Sequence, residues 1–372
     1  MARLGDICIQ ITDGSHNPPM GVEQSNYLML SSKNIDDDYI TLNDPRYLSQ
    51  EDFEAENRRT NIKPNDLLIT IVGTIGRVAI VPNSLTEFCV QRSVAVLKPK
   101  PEIVYNRFLM HYLQSMRPYL EQESRGVAQK GIYLKQLSNL SIILPPLDEQ
   151  RKIAAVLDKV SDLIAKRRQQ LDKLDEIVKS RFIEMFGDPV DNPHGFRKVA
   201  LSELAEIRIG PFGSLLHKED YIEGGHPLLN PSHIVDGKVA PDSKLTISDK
   251  KYDELEAYHL HTGDVVMGRR GEMGRCAVVP SEGFLCGTGS LLIRTKGEVT
   301  ADYIQKTISF PSFRKTIEDM AVGQTMPNLN VPIVSKFQII KPPIEVQINY
   351  YKFVAQTDKS KLAIQKSLEK LE

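Results

Sequence analysis

Cysteine is scarce in this chain: among 372 residues there are four, Cys8, Cys89, Cys276 and Cys286, all far apart. That spacing offers neither a zinc-ligand set nor a disulfide framework, so no metal is expected and a reducing, cytoplasmic setting is the natural one. A basic excess is also missing. Lys and Arg number 47 against 48 Asp and Glu, a net charge of −1, which excludes a protein that coats nucleic acid by bulk charge. Any DNA binding must therefore use localised basic loops or a partner that brings positive charge. No apolar run is long enough to span a bilayer, and Met1 to Gly14, broken by Asp6, Gln10 and Asp13, lacks a signal-peptide core. No membrane association is expected. What remains is ordinary, with 41% hydrophobic and 26% charged residues, a folded chain long enough for two or three domains.

The chain does have a repeat. Residues 62–82, IKPNDLLITIVGTIGRVAIVP, resemble residues 260–280, LHTGDVVMGRRGEMGRCAVVP. Asp66, Gly73, Gly76, Arg77 and Pro82 fall on Asp264, Gly271, Gly274, Arg275 and Pro280. Further on, residues 126–150 match 323–347, with Gln150 on Gln347, and Leu4 falls on Leu201. Two copies cover nearly the whole sequence, a pattern that means one structural unit built twice.

Each copy reads alike. Short β-like runs such as 66–72 and 93–97 are punctuated by Gly and Pro. A helical stretch follows, 106–119 or 302–317, then a strand-like run ending in Pro-Pro, 140–146 or 337–343, then a long helix. The first long helix has no Pro or Gly from Glu149 to Met185, and Gly187 with Pro189 supplies its stop. Ile153, Leu157, Val160, Ile164, Arg167, Leu171, Leu174, Val178, Arg181 and Met185 alternate four and three apart, the coiled-coil spacing. A lone helix of about 55 Å, at ~1.5 Å per residue, cannot bury that stripe. The second copy supplies the partner through Tyr350, Val354, Thr357, Lys361, Ile364, Leu368 and Leu371. With Glu372 in register with Asp175, that copy stops roughly ten residues short of the first. The expected fold is α+β: two repeated mixed α/β modules separated by two long helices that form an antiparallel coiled coil.

Residues 144–189, LPPLDEQRKIAAVLDKVSDLIAKRRQQLDKLDEIVKSRFIEMFGDP, resemble the central conserved region of specificity subunits of type I restriction-modification enzymes. Each half resembles that family's target-recognition domain, in ITDGSHNPP at 11–19, FCVQRSVAVLKP at 88–99, GDVVMGRRGEMGRCAVV at 263–279 and GQTMPNLNVPIVSKFQIIKPP at 323–343. The resemblance implies target-recognition domains at 1–146 and 188–343, a spacer helix at 147–187 and a shorter C-terminal helix at 344–372. It also implies a non-catalytic subunit in which each domain reads one half of a split sequence in double-stranded DNA and the helices set the gap. Two methyltransferase (modification) subunits would dock around the helices and bind S-adenosylmethionine, leaving this chain without a cofactor. Motor-nuclease (restriction) subunits would join for cleavage.

Two other readings compete with this one, a coiled-coil scaffold that never touches DNA and a self-contained adenine methyltransferase. The second rests on Asn17-Pro18-Pro19, since adenine methyltransferases use an Asn-Pro-Pro-aromatic turn. Here the fourth residue is Met20, no glycine turn for a methyl donor follows a strand, and a Pro-rich turn explains the residues.

Candidate DNA contacts follow from side-chain chemistry. Gly268, Gly271 and Gly274 suggest a tight hairpin, on or beside which stand Arg269, Arg270 and Arg275, with Arg77 in the first copy. Arginine suits bidentate contact with guanine or phosphate. Arg58, Arg59, Lys63, Gln91, Arg92 and Lys130 are further candidates in the first half, and Lys218, Gln324 and Asn328 in the second. Ser15 and His16 can donate to phosphate or a base edge. The run Lys166-Arg167-Arg168 sits on a helix rich in carboxylates and reads as a solvated, ion-paired face. Where the copies agree, the residues read as scaffold, so specificity is expected where they differ.

Overall fold

The computed structural model describes residues 1–124, 130–321 and 328–371. Gln324, Glu372 and parts of the 126–150 and 323–347 matches fall outside them. The chain divides into two compact units, 1–165 and 166–372, with the division inside the long helix.

In the first unit, four antiparallel strands lie in the order Cys8–Asp13, Val94–Pro99, Leu67–Thr70 and Val78–Ile80. The central strands read as unbroken apolar runs because both faces of the sheet are covered. Leu67, Ile69, Ala95 and Leu97 point into a core with Leu4, Leu109, Leu113 and Leu137 from the helices. Leu68, Val94 and Val96 point the other way, onto Leu30, Phe88 and Val90. Those last three belong to a second sheet ordered Arg46–Leu48, Tyr27–Leu30, Phe88–Val90, whose second pair is parallel.

The second unit repeats the plan. Ala205–Ile209, Ser290–Thr295, Val265–Gly268 and Cys276–Val278 form the same four-stranded order. Val265 and Met267 face one core and Val266 the other. The second sheet here has five strands, ordered Tyr221–Ile222, Thr246–Ile247, His226–Leu229, Phe284–Cys286 and His259–Leu260. In each unit the strand-like run before Pro-Pro closes the module: Ser141–Ile142 pairs with Ala2–Arg3, and Gln338–Lys341 with Arg197–Ala200.

The predicted single helix at 106–119 is two, Asn106–Ser115 and Arg117–Glu123, and its counterpart is Ala301–Ile308 and Pro311–Met320. Pro118 and Pro311 explain the breaks, since proline starts a helix well and continues one badly. All four cysteines are buried free thiols. Burial pushes each thiol up to about 12, which leaves them inert.

The long helix runs Leu147–Phe186, 40 residues, or about 60 Å. It ends as expected at Gly187, whose φ of 73° and whose N–H on the Ile183 carbonyl (2.8 Å) make a left-handed cap. The C-terminal helix runs Ile344–Leu368. Inside the second unit the two pair antiparallel. Tyr350 packs on Phe182 and Phe186 (ring centroids 5.5 and 5.3 Å) and donates to the Val178 carbonyl, whereas Lys361, later in its helix, pairs with Asp175, earlier in the other.

The apolar stripe does two jobs, and the sequence reading gave it one. Ile153 packs into the first module's core beside fully buried Ala154, so its place is in that module. Val178 and Val354 pack on the second module's core. Leu157 is exposed, and Val160, Ile164, Leu171, Leu174, Ile364, Leu368 and Leu371 are half-buried.

Candidate nucleic-acid interface

The glycine motif does form a hairpin in both modules. Its connection is longer than a tight turn, spanning 71–77 between Leu67–Thr70 and Val78–Ile80, and 269–275 between Val265–Gly268 and Cys276–Val278. Gly73, Gly76, Gly271 and Gly274 all take φ between 74° and 85°, a backbone that L side chains rarely adopt. A crossing arginine adds to this at one of the two shared positions. A Cβ on Gly76 would meet the Arg117 Cγ at 3.1 Å, and one on Gly274 would meet the Arg314 Cγ at 2.7 Å.

Those arginines are clamps that the sequence reading missed. Arg117 pairs with Asp37 and donates from Nε to the Gly76 carbonyl (3.3 Å). Arg314 pairs with Glu272 (2.9 Å). Both stand in the repeat register, which was the signal available. Two predicted DNA contacts join the same clamp. Arg77 is 3.2 Å from Asp36, and Arg275 is 2.5 Å from Glu272 while also reaching the Pro231 carbonyl. These bonds, led by that of Arg275, hold the Glu272 carboxyl below its usual range.

Beside the hairpin in the first module lies a cleft of 530 Å³, lined by Asp13, His16, Ile71, Val72, Arg92 and residues 131–134. Its floor is held by backbone bonds. The Ser15 N–H donates to the Val90 carbonyl, Arg92 N–H to the Ser15 carbonyl, and Ile132 N–H to the Ile71 carbonyl, all at 2.8–2.9 Å. Gln91 bridges Ser15 from the neighbouring strand. His16 sits 2.8 Å from Asp13, which also takes Arg59, and Arg59 Nε donates to Thr12 Oγ1. Arg58 and Arg59 form the exposed last turn of helix Gln50–Thr60. Lys63 is exposed just beyond that helix, and Lys130 lines a separate cleft with Arg77 and Arg117. Tyr133, absent from the predicted set, is 66% exposed at the mouth of the 530 Å³ cleft.

The second module has the same frame with different side chains. The Leu329 N–H donates to the Arg269 carbonyl (2.9 Å), and the Arg270–Asn328 bridge mirrors that of Val72–Gly131. Arg269 Nε donates to Asn328 Oδ1 (3.1 Å). Burial, and then the charge of Arg270, hold the Arg269 guanidinium below its ordinary value. Arg270 is exposed. Lys218 is exposed in a 3-10 turn at 218–220.

Asn17 is exposed in a turn pinned by Arg46, which donates to the Pro19 carbonyl (2.6 Å), in keeping with a structural role. Among the described residues no cluster of His, Cys, Asp and Glu could hold a metal, and no helix is long and apolar enough to cross a membrane.

The chain matches the family model for the type I restriction modification DNA specificity domain twice, over residues 24–176 and 193–372. It is 35% identical over 128 residues to the type I restriction enzyme EcoBI specificity subunit of Escherichia coli, a match taking in 34% of this chain and 27% of that one. It is 20% identical over 316 residues to the MjaVIII specificity subunit of Methanocaldococcus jannaschii, covering 78% and 72%. The crystal structure of a type I restriction-modification S subunit from M. genitalium shares the fold over 100% of this chain and 92% of that one, with TM-score 0.56 at 14% identity. Two matches to one DNA specificity domain, laid over the two modules, make this chain a member of the specificity subunits of type I restriction-modification systems, whose part is to recognise DNA sequence.

Proposed function

We propose that each module reads one half of an interrupted sequence in double-stranded DNA and that the long helices fix the gap between the halves. The observation that carries this reading is a shared backbone frame that presents different side chains in each copy. Ile71-Val72 stand where the second module has Arg269-Arg270, and Gln91-Arg92 where it has Gly287-Thr288, by the matching bonds of Ile71 to Ser93 and Arg269 to Gly289. Of these exchanged residues Arg92, Arg270 and Thr288 are exposed, and a frame duplicated for stability alone has no need to exchange them. With a net charge of −1, the chain's own grip on DNA is modest, and partners complete it.

Those partners are two methyltransferase (modification) subunits that hold S-adenosylmethionine, with motor-nuclease (restriction) subunits added for cleavage, all in the cytoplasm. In support, the long helix exposes Val156, Leu163 and Ile177, which lie at multiples of seven and so on one face. That face borders the stripe that serves the modules, three or four residues from Ile153, Val160 and Arg167. Recognition by this chain, with methyl transfer by a partner, predicts no transfer from labelled S-adenosylmethionine to mixed-sequence DNA by the purified chain alone. Single-molecule methylation mapping in cells that express it with its methyltransferase should reveal a split motif. Exchanging residues 190–340 for those of another specificity subunit should change one half of it. Transfer by the chain alone, or both halves unchanged after the exchange, would overturn the reading.

A further inference from the structure

The two modules differ enough in their exposed side chains to distinguish those that meet bases. Three of the arginines near the hairpins are already committed. Arg77 and Arg275 are bound to Asp36 and Glu272, and Arg59 to Asp13. Moving any of them to DNA would leave a carboxylate behind, and a carboxylate beside phosphate or a base acceptor is repulsive. Arg92 and Arg270 are exposed, and their guanidinium groups have no partner among the described residues. Both flank the same backbone junction, formed by Ile132 to Ile71 in one module and by Leu329 to Arg269 in the other.

The cleft in the first module adds an aromatic ring. Tyr133 is held through its backbone, its N–H donating to Gln136 Oε1 (3.0 Å), while two-thirds of the residue faces solvent. Its ring thus projects beside Arg92, His16, Ile71 and Val72. Ring and aliphatic surface suit the methyl group of thymine, and a neighbouring guanidinium suits guanine. At the equivalent position Asn330 spends its side chain capping a helix, accepting from the Ile333 N–H (2.9 Å). The second module therefore offers no ring there and presents Arg270 instead.

We propose that Tyr133 with Arg92 are the base-reading side chains of the first module and Arg270 that of the second, so that one frame reads two half-sites through exchanged residues. This rests on the half-motif reading above. The test is methylation mapping in cells expressing the full chain and its methyltransferase, with wild type beside Tyr133→Asn, Tyr133→Phe, Arg92→Ala and Arg270→Ala. Tyr133→Asn and Arg92→Ala should each lower methylation, or relax one base position, in the same half-motif by about 10- to 100-fold, with the other half unchanged. Tyr133→Phe keeps the ring and should match wild type. Arg270→Ala should act on the opposite half alone. Variants that leave a split motif intact, or that weaken all sites uniformly as a phosphate contact does, overturn the assignment while the half-motif reading stands. If wild type itself shows no split motif, both fall.

Discussion

In the first module the long helix is tethered by charge. Arg107 grips Asp158 through three hydrogen bonds of 2.6–2.9 Å, and His111 reaches the same carboxylate at 2.7 Å. Gln150 holds Tyr105 and Gln347 holds Thr300; counted from those two residues Asp302 and Lys306 stand where Arg107 and His111 do, and counted from the glutamines themselves Ala355 stands where Asp158 does, so no such tether can form. It uses rings instead. Phe182 lies 4.9 Å from Phe186 and 5.5 Å from both Phe310 and Tyr350, and Phe186 lies 5.1 Å from Tyr303. Phe182, Phe186, Tyr303 and Tyr350 are essentially inaccessible to solvent. One helix thus begins in a polar joint and ends in an apolar one. The second unit must seat two helices, and buried aromatic area provides more adhesion than a half-exposed ion cluster.

The largest difference between the two joints is expected at Phe182. Phe182→Ala should cost the second module about 3–5 kcal/mol, the range for emptying a buried aromatic site. Denaturant unfolding should show that loss in the second module's transition, with the first module's little changed. An equal loss in both transitions would mean that the joint is shared between the modules. Tyr350→Phe, which removes only the hydrogen bond to Val178, should cost about 1 kcal/mol by the same measurement.

Next come the glutamines, where the modules should behave alike. Gln150 accepts from the Tyr105 N–H and donates to the Ile103 and Pro145 carbonyls. Gln347 accepts from Thr300 and donates to Pro342. Both are fully buried and lock the first turn of a long helix onto the loop beside it. Replacing either by Ala strands backbone groups without partners, at about 2–3 kcal/mol. Similar losses for Gln150→Ala and Gln347→Ala in their own unfolding transitions would confirm that the joint was duplicated intact. A clear inequality would show that the two copies have diverged here as well.

The repeat, the hairpin glycines, the long helices and the glutamine pair were all legible in the sequence, because each is a local pattern or a match between copies. The two short helices were misread as one, although Pro118 and Pro311 were visible, because the apolar spacing continues across the break. Ile153 fitted the heptad stripe and was assigned to helix pairing. Only the structure shows that the first turns of that helix belong to a module's core. The clamp arginines were missed for a different reason. Arg117 and Arg314 lie some forty residues from the glycines they cross, and a tertiary contact of that kind leaves no local periodicity. Tyr133 left no signal at all, since an exposed ring is identified only by the cleft around it.

The smallest expected effect is a pH dependence confined to the first joint. Burial alone would raise the Asp158 carboxyl, but Arg107 and His111 outweigh it and hold it below the usual carboxylate range. A carboxyl depressed on folding contributes stability that is present above its unfolded value, ~3.9. That contribution is lost as pH falls through the lower folded value. The first module should therefore give up this part of its stability below about pH 4, where Asp158 takes up a proton and releases Arg107. Asp158→Asn should cost about 1–2 kcal/mol at neutral pH, a figure set by the lost charge-assisted bonds and reduced because the site is partly exposed. The difference between variant and wild-type stability should then shrink towards zero as pH drops below 4, since the other carboxylates cancel in it. In the second module, Ala355→Asp should not recreate the effect, because Asp302 replaces the arginine that would receive it. The new carboxylate would meet Asp302 at the arginine's place and Lys306 at the histidine's, so repulsion and attraction there oppose each other. A difference for Asp158→Asn that stays constant with pH would show the tether to be packing rather than charge, and would remove the main chemical distinction between the two joints.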